Sequence, residues 1–369
     1  MSTQTRPGTG PNSLSLKLRN NWLPILILLV VVAAVAVMVP SFFQPSNMLN
    51  VGRQSAIVGI IAVGMTFVIL TGGIDLSVGS ILALSGVTTA MLINNGLIVP
   101  LAIIAGILVG VAVGIVNGIG VAVLKVQPFI MTLATMVAIQ GLSLRFTDGG
   151  PKQFSNREPF FNFIGSGNFL GIPGPFIVFL LIAIAGILVL RYLAFGRYIY
   201  AIGGSMEAAR LSGVRTTRTI VLAYSISGLC AGLAGVMTAA RLGVGDPTAG
   251  SLSNLDAITA VVIGGTSLMG GIGGAVGTVF GAILLAILSN VMNLLGISPF
   301  DQQIVKGAVI VIAVLVAAKA SVRRFKERRT DAPKAATSQP ATITVAPASE
   351  STPRPDEHPS TLVERTPSN

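Results

Sequence analysis

Apolar runs separated by short polar or glycine- and proline-bearing breaks fill the chain from residue 22 to residue 318. Ten of them approach or reach the roughly 20 residues that a helix needs to cross a bilayer. They are Trp22–Val39, Val51–Leu70, Ser77–Ile93, Val99–Leu124, Phe129–Phe146, Pro175–Leu193, Ile220–Ala240, Leu255–Met269, Ala275–Leu295 and Gln303–Ala318. The runs starting at Ser77 and Leu255 are short, so each fits either a full span or a re-entrant or tilted element, and the latter reading lowers the count to eight. The pattern predicts an all-α, polytopic helical membrane protein of about ten transmembrane helices.

The first run follows Lys17 and Arg19, as a secretory signal would, but no small-residue cleavage site follows Val39 and the chain continues apolar, so it is read as a first span. With ten crossings and the N-terminus inside, only Arg53, Arg145, Lys152, Arg157, Arg241 and Lys306 of the 24 Lys and Arg fall outside. The internal loops divide evenly, six inside (Lys125, Arg191, Arg197, Arg210, Arg215, Arg218) against those six. The orientation, with both termini cytoplasmic, therefore rests on the ends and on the dense Arg197–Arg218 loop. The organisation expected is a cytoplasmic segment over 1–20, a transmembrane domain over 21–320, and a cytoplasmic tail over 321–369. That tail opens on the basic run Arg323-Arg324-Phe-Lys326-Glu-Arg328-Arg329, which suits anionic lipid, and continues as a Pro-, Ser- and Thr-rich stretch expected to be disordered. The longest external loop is Asp148–Pro173.

One hydrophilic stretch, Gly203-Gly-Ser-Met-Glu-Ala-Ala-Arg-Leu-Ser-Gly213-Val-Arg-Thr-Thr-Arg218, interrupts the apolar pattern within the loop 195–218. Ser205 suits a helix N-cap, Glu207 the positive end of the dipole, and Gly213 the stop, which predicts a helix of about two turns. Ala208 and Ala209 are small enough for close approach of a partner, while Glu207 and Arg210 offer opposite charges to fix its register. A capped amphipathic helix lying on the membrane surface is the plainer reading, although only Met206 and Leu211 would anchor it.

Composition sharpens the setting. A chain of 369 residues that is 52% hydrophobic and 10% charged, with a mean hydropathy of +0.82, is not a soluble globule. Its net charge of +11 follows from basic residues flanking spans and is not read as nucleic-acid binding. Cys230 has no partner cysteine and the sole histidine, His358, lies in the tail, which excludes a disulfide framework, a cysteine zinc site and a Ser-His-Asp triad in the folded region. No metal-ligand spacing is present, and no Gly-x-x-x-x-Gly-Lys-Ser/Thr phosphate loop occurs, so the chain is not expected to hydrolyse ATP.

Glu207-Ala208-Ala209 followed by Gly213 resembles the EAA motif of ABC importer permeases, although the isoleucine-leucine-proline continuation common in that loop is absent. Further blocks resemble the ribose/xylose/arabinose/galactoside type of ABC permease: Thr71-Gly-Gly-Ile-Asp75-Leu-Ser-Val-Gly79-Ser, Gln127-Pro-Phe-Ile-Met-Thr-Leu133, Asp246-Pro-Thr-Ala-Gly250, Leu255-Asp256-Ala-Ile and Val262-Ile-Gly-Gly-Thr-Ser-Leu-Met-Gly270-Gly271. Together they span about residues 50–318. The resemblance implies the permease subunit of a bacterial inner-membrane importer for a monosaccharide, with Ser205, Glu207, Ala208, Ala209, Arg210 and Gly213 as the ATPase-coupling element. It implies a tandem-cassette ATPase that binds ATP and Mg, an extracytoplasmic sugar-binding protein, a second permease subunit forming a homodimer, and no cofactor on this chain. A nucleoside or branched-chain amino-acid permease is the alternative within the class. An ion-coupled secondary transporter is the alternative outside it, although no acidic residue is predicted at mid-span.

Candidate pathway residues are Asp75, Asn117, Gln127, Asn290 and Asn293. For each, two readings stand: hydrogen bonding to sugar hydroxyls, or a structural bond, which for Asp75 is a cap on the span starting near Ser77 and for the amides a link between helices. Asp256 has the same capping reading, and Asp301 and Lys306 read as an anchor at the end of the last span. Gln140 reads as helix packing. Gly106, Gly110, Gly114 and Gly118 repeat every four residues and predict a close-packed face. Gly72-Gly73-Ile74 with Val78-Gly79-Ser80 recurs as Gly270-Gly271-Ile272 with Val276-Gly277-Thr278, either as an internal duplication or as chance likeness in a chain with 43 glycines. Gly72, Gly73, Gly264, Gly265, Gly270 and Gly271 are accordingly candidates for hinges or close packing.

Overall fold

The computed structural model describes residues 13–155, 158–312 and 315. The chain divides into a unit over 1–322 and a second over 323–369; the basic run at 323–329, the tail, His358 and Arg157 all lie outside the described residues. The described part is an α-helical membrane protein. In order it contains α1 (Ser13–Met38), a 3-10 turn (Pro40–Phe43), α2 (Pro45–Leu70), α3 (Val78–Asn94), α4 (Val99–Ala122) and α5 (Pro128–Thr147). Then follow α6 (Pro159–Gly165), α7 (Gly174–Tyr192), α8 (Ala194–Gly204), α9 (Met206–Leu211), α10 (Thr216–Leu242), α11 (Ser253–Ile263) and α12 (Ala275–Leu294), with a last helical stretch over 299–312.

Prolines set several of these starts. Pro45, Pro100, Pro128, Pro159 and Pro175 sit at the first or second helical position, where a missing N–H costs no intrahelical bond. Six helices, α2, α4, α5, α7, α10 and α12, are long and apolar enough to cross a membrane. Among the described residues α3 and α11 are shorter; α11, at 11 residues, is about 16 Å long, half of a hydrocarbon core. It ends at Ile263 rather than continuing to Met269, because Gly264 and Gly265 break it.

Two helices form the centre. In the most apolar part of α2, 78% of residues are buried, and in α10, 67%, whereas α5 has 11% buried and turns its apolar side chains outward. α10 lies against α2, α3 and α4, while α2 also packs against α7, α11 and α12. The core gathers Ile60, Ile61, Met65, Phe67, Ile81, Phe179, Ala231 and Met237.

The glycine stripe of α4 lies on this core as expected. A methyl on Gly110 would strike the Gly228 carbonyl, one on Gly114 the Tyr224 carbonyl, and one on Gly118 would lie 2.6 Å from Val221 Cα. Gly106 faces Thr89 and Ser85 of α3. Backbones of α4 and α10 thus touch directly, which is how small residues pack membrane helices.

Two features depart from expectation. The long loop Asp148–Pro173 carries α6 and strand pairs: β1 (Lys152–Gln153) pairs antiparallel with β4 (Val244–Gly245), and β2 (Asn168–Phe169) with β3 (Ile172–Pro173). The loop 195–218 holds two helices, not one. Ile199 and Ile202 of α8 are buried, and Phe195 stacks on Phe67 of α2 at 6.2 Å between centroids, so α8 is fixed to the bundle before the predicted helix begins.

Candidate functional site

The predicted short helix is α9. Ser205 is its N-cap in extended conformation, and its hydroxyl accepts from Ala208 N–H at 3.3 Å. Glu207 stands in the first turn and Arg210 in the last, matching the dipole. Gly213, at φ +82°, ends the segment, with its N–H donating to the Arg210 carbonyl and that of Val214 to the Ala209 carbonyl, 3.0 Å each. Ser205, Met206, Glu207, Ala208, Arg210 and Leu211 are exposed. Ala209 is not available to a partner: it packs inward in a cluster with Val68, Ile202, Ile220 and Tyr224. Consecutive helical residues point about 100° apart, so with Ala209 turned to the bundle only Ala208 of the two alanines presents itself outward.

Where α8 ends, at Gly203, the two glycine hairpins meet. Gly271 N–H donates to the Leu70 carbonyl at 3.0 Å. A methyl on Gly270 would lie 2.8 Å from Gly72 N and 3.1 Å from Gly203 Cα. Gly73 backs onto the Tyr224 hydroxyl, which donates to the Ile74 carbonyl at 3.3 Å. Gly264 abuts Gly277 of α12, and Gly265 faces open space. The motif likeness between the hairpins is thus matched by their contact in space.

The candidate pathway residues separate into three places. Asp75 and Asn117 belong to one fully buried network. Asp75 accepts from Ser77 N–H at 3.0 Å, from the Ser77 hydroxyl at 2.6 Å and from the Ser227 hydroxyl at 2.9 Å. The Asn117 amide donates to Ser77 Oγ at 2.8 Å, which leaves the Ser77 proton for the carboxylate. Asp75 therefore holds the turn before α3, through the N–H of the capping residue itself, and it ties that turn to α4 and α10. Asn117 Oδ1 is buried without a partner.

Asn290 lies at the opposite end of α2. It exchanges two hydrogen bonds with Asn47, at 2.7 and 2.9 Å. The rise from Asn47 to Leu70 is about 35 Å, so Asn290 and Asp75 do not share a site. Asn293 is exposed and accepts from Gln302 at 2.8 Å. Gln127 is exposed at the N-cap of α5 and makes no capping bond. Gln140 donates to the Pro247 carbonyl at 2.7 Å, a structural link.

Asp256 does not cap α11. Its carboxylate meets Lys306 Nζ at 3.0 Å, tying α11 to the last helical stretch. Sequence spacing gave no sign of this pair, because 50 residues separate its members. Asp301 and Ser298 form a reciprocal cap: Ser298 donates to the carboxylate at 2.7 Å and accepts from Asp301 N–H at 3.2 Å. Among the described residues no group of three or more His, Cys, Asp and Glu side chains could hold a metal ion.

Residues 47–314 match the family model described as "Branched-chain amino acid transport system / permease component". The chain belongs to this permease family. Among similar proteins, the ribose import permease protein RbsC of Bacillus subtilis is 50% identical over 298 residues, covering 81% of this permease and 92% of the relative. RbsC of Escherichia coli K12 is 44% identical over 294 residues (79% and 92%). The xylose transport system permease protein XylH of Escherichia coli K12 is 36% identical over 334 residues (74% and 85%). No solved structure matches the permease. A carbohydrate ABC permease, embedded in the membrane by several helices, is what these likenesses and the apolar helices support.

Proposed function

We propose that this permease moves a monosaccharide of the ribose or xylose type into the bacterial cytoplasm, driven by a separate tandem-cassette ATPase that binds the ATP and Mg. The observation that carries the reading is the 50% identity with a ribose import permease along nearly its whole length. An extracytoplasmic binding protein delivers the sugar, and a second copy of the chain completes the passage. The dense basic residues near α8 and α9, with those at the chain ends, support a cytoplasmic position for that end and for both termini.

In this arrangement α9 is the docking element. Glu207, Ala208 and Arg210 offer the contact surface, Ser205 and Gly213 frame the helix, and Ala209 anchors it to the bundle. Gln127, exposed at the start of α5, is the candidate amide at the cytoplasmic mouth. Asp75 and Asn290 spend their hydrogen-bonding groups on neighbouring helices, and Asn117 donates its amide to Ser77, so the three act as structural ties rather than sugar ligands.

The test is uptake of labelled pentoses and hexoses into proteoliposomes holding the permease and its ATPase, with ATP inside and binding protein outside. ATP-dependent accumulation of ribose or xylose is expected. A second reading, a branched-chain amino acid or nucleoside as cargo, draws on the description of the matching family model. Accumulation of leucine or a nucleoside but no sugar would favour it, and uptake driven by an ion gradient without the ATPase would overturn both.

A further inference from the structure

Gly203, the penultimate residue of α8, is wedged between the two glycine hairpins. A methyl there would strike both the Leu70 carbonyl and Gly271 N–H, the two partners of the bond that joins the hairpins, and would lie 2.9 Å from Gly271 Cα. Seen from the other side, a methyl on Gly271 would sit 3.0 Å from Gly203 C, Gly203 O and Gly204 N. Three backbone segments meet here with no side chain between them. Close by, the Tyr200 hydroxyl donates to the Gly273 carbonyl at 2.8 Å, a second tie from α8 to the hairpin before α12. Only Gly204 and Ser205 separate the knot from α9.

The chain continues from the first hairpin into α3 and from the second into α12, which lie in different halves of the sequence. Interfaces without side chains have little room to comply: a displacement of one backbone must move the others or break the contact. Side-chain packing from α9 itself, through Ala209 onto Val68 and Tyr224, reaches the first hairpin by way of α2 and α10. The second hairpin is touched directly by α8, through Gly203 and Tyr200.

We propose that Gly203 and Tyr200 are positioning residues for coupling: through them a movement of α9 drives both hairpins, and hence both halves of the bundle, as one unit. This rests on the reading of α9 as the ATPase-docking helix. It assigns to the α8 end a role that neither the EAA likeness nor the apolar pattern suggests.

The experiment compares Gly203→Ala, Tyr200→Phe, Gly204→Ala and Glu207→Arg in proteoliposomes with the ATPase and binding protein, measuring sugar moved per ATP hydrolysed and retention of the ATPase on the purified permease. Gly203→Ala and Tyr200→Phe are expected to retain the ATPase and its hydrolysis while sugar per ATP falls roughly 3- to 30-fold. Gly204→Ala, whose added methyl meets nothing within 4 Å, is expected to match wild type. A purely structural role would lower the amount of active permease but leave the ratio unchanged. Should Gly203→Ala not fold, Tyr200→Phe decides, since it removes one hydroxyl. Unchanged sugar per ATP in the knot variants, with Glu207→Arg uncoupled, would overturn the knot and leave the α9 reading standing. A Glu207→Arg protein that behaves as wild type would overturn both.

Discussion

Replacing Asp75 tests the structural account most sharply, because a fully buried carboxylate with three donors has a calculable worth. Asp75→Ala leaves Ser77 N–H and the Ser77 and Ser227 hydroxyls without their acceptor at a site closed to solvent. An unsatisfied buried donor costs about 1–3 kcal/mol. The N–H is fixed and carries its full cost, whereas the hydroxyls rotate, so they count at the low end. Removing a buried carboxylate that no salt-bridge partner faces among the described residues returns part of its desolvation penalty. The net is a loss of about 3 kcal/mol, roughly a hundredfold in the unfolding constant. Asp75→Asn keeps Oδ1 for Ser77 and offers Nδ2 to Ser227 Oγ, whose hydroxyl turns to accept; that variant loses about 1 kcal/mol. The assay is built into the chain: Cys230 is its sole cysteine, is buried, and lies one turn after Ser227 on α10. A thiol-reactive fluorophore followed on heating in detergent reports opening of this region from one site. The alanine variant is expected to open at distinctly lower temperature than the asparagine variant, and both below wild type. Equal opening temperatures for all three would refute the argument that Asp75 is a structural tie.

Other consequences follow from the same geometry. Single Asn47→Ala or Asn290→Ala variants each strand a buried amide and lose about 1–3 kcal/mol, while the double variant loses clearly less than the sum, as a thermal double-mutant cycle would read. Lys306→Ala and Asp256→Ala are expected to destabilise by about 1 kcal/mol, discounted because the two side chains remain 24% and 18% exposed, and the charge-swapped double variant to regain part of it. Gly110→Val drives a side chain into the Gly228 carbonyl and is expected to abolish membrane accumulation of the permease on immunoblots, whereas Gly141→Ala, facing open space, leaves it normal. Ser205→Ala removes the cap of α9 at about 1 kcal/mol, and is expected to weaken ATPase retention without changing the opening temperature of the bundle.

Much of this architecture is legible in the sequence because membrane helices announce themselves by length and apolarity. The cores of α2, α4, α7, α10 and α12 follow the apolar runs closely, and the four-residue glycine stripe of α4 does face its neighbours. Ser205, Glu207 and Gly213 mark α9 because caps are local, written within one turn of the residues they serve. What the sequence hides is contact between distant segments. Asp75 reads as a cap, but Ser227, 152 residues on, completes its shell. Asn47 falls in the polar break before the second apolar run and carries no sign of its partner, 243 residues away. Ala209 and Ala208 are indistinguishable as letters, and only the phase of α9 against the cluster around Tyr224 turns one inward. The likeness of the two glycine hairpins is legible in the sequence, but their contact in space, with Gly203 between them, is not.

Under the proposed function α9 couples a separate ATPase to sugar movement through this permease. ATP hydrolysis by the permease reconstituted with its ATPase and binding protein, measured across a panel of pentoses and hexoses for wild type and Glu207→Arg, tests it most directly. Hydrolysis stimulated by ribose or xylose in wild type and indifferent to sugar in the variant is expected. Hydrolysis that ignores every sugar and the substitution alike would contradict it.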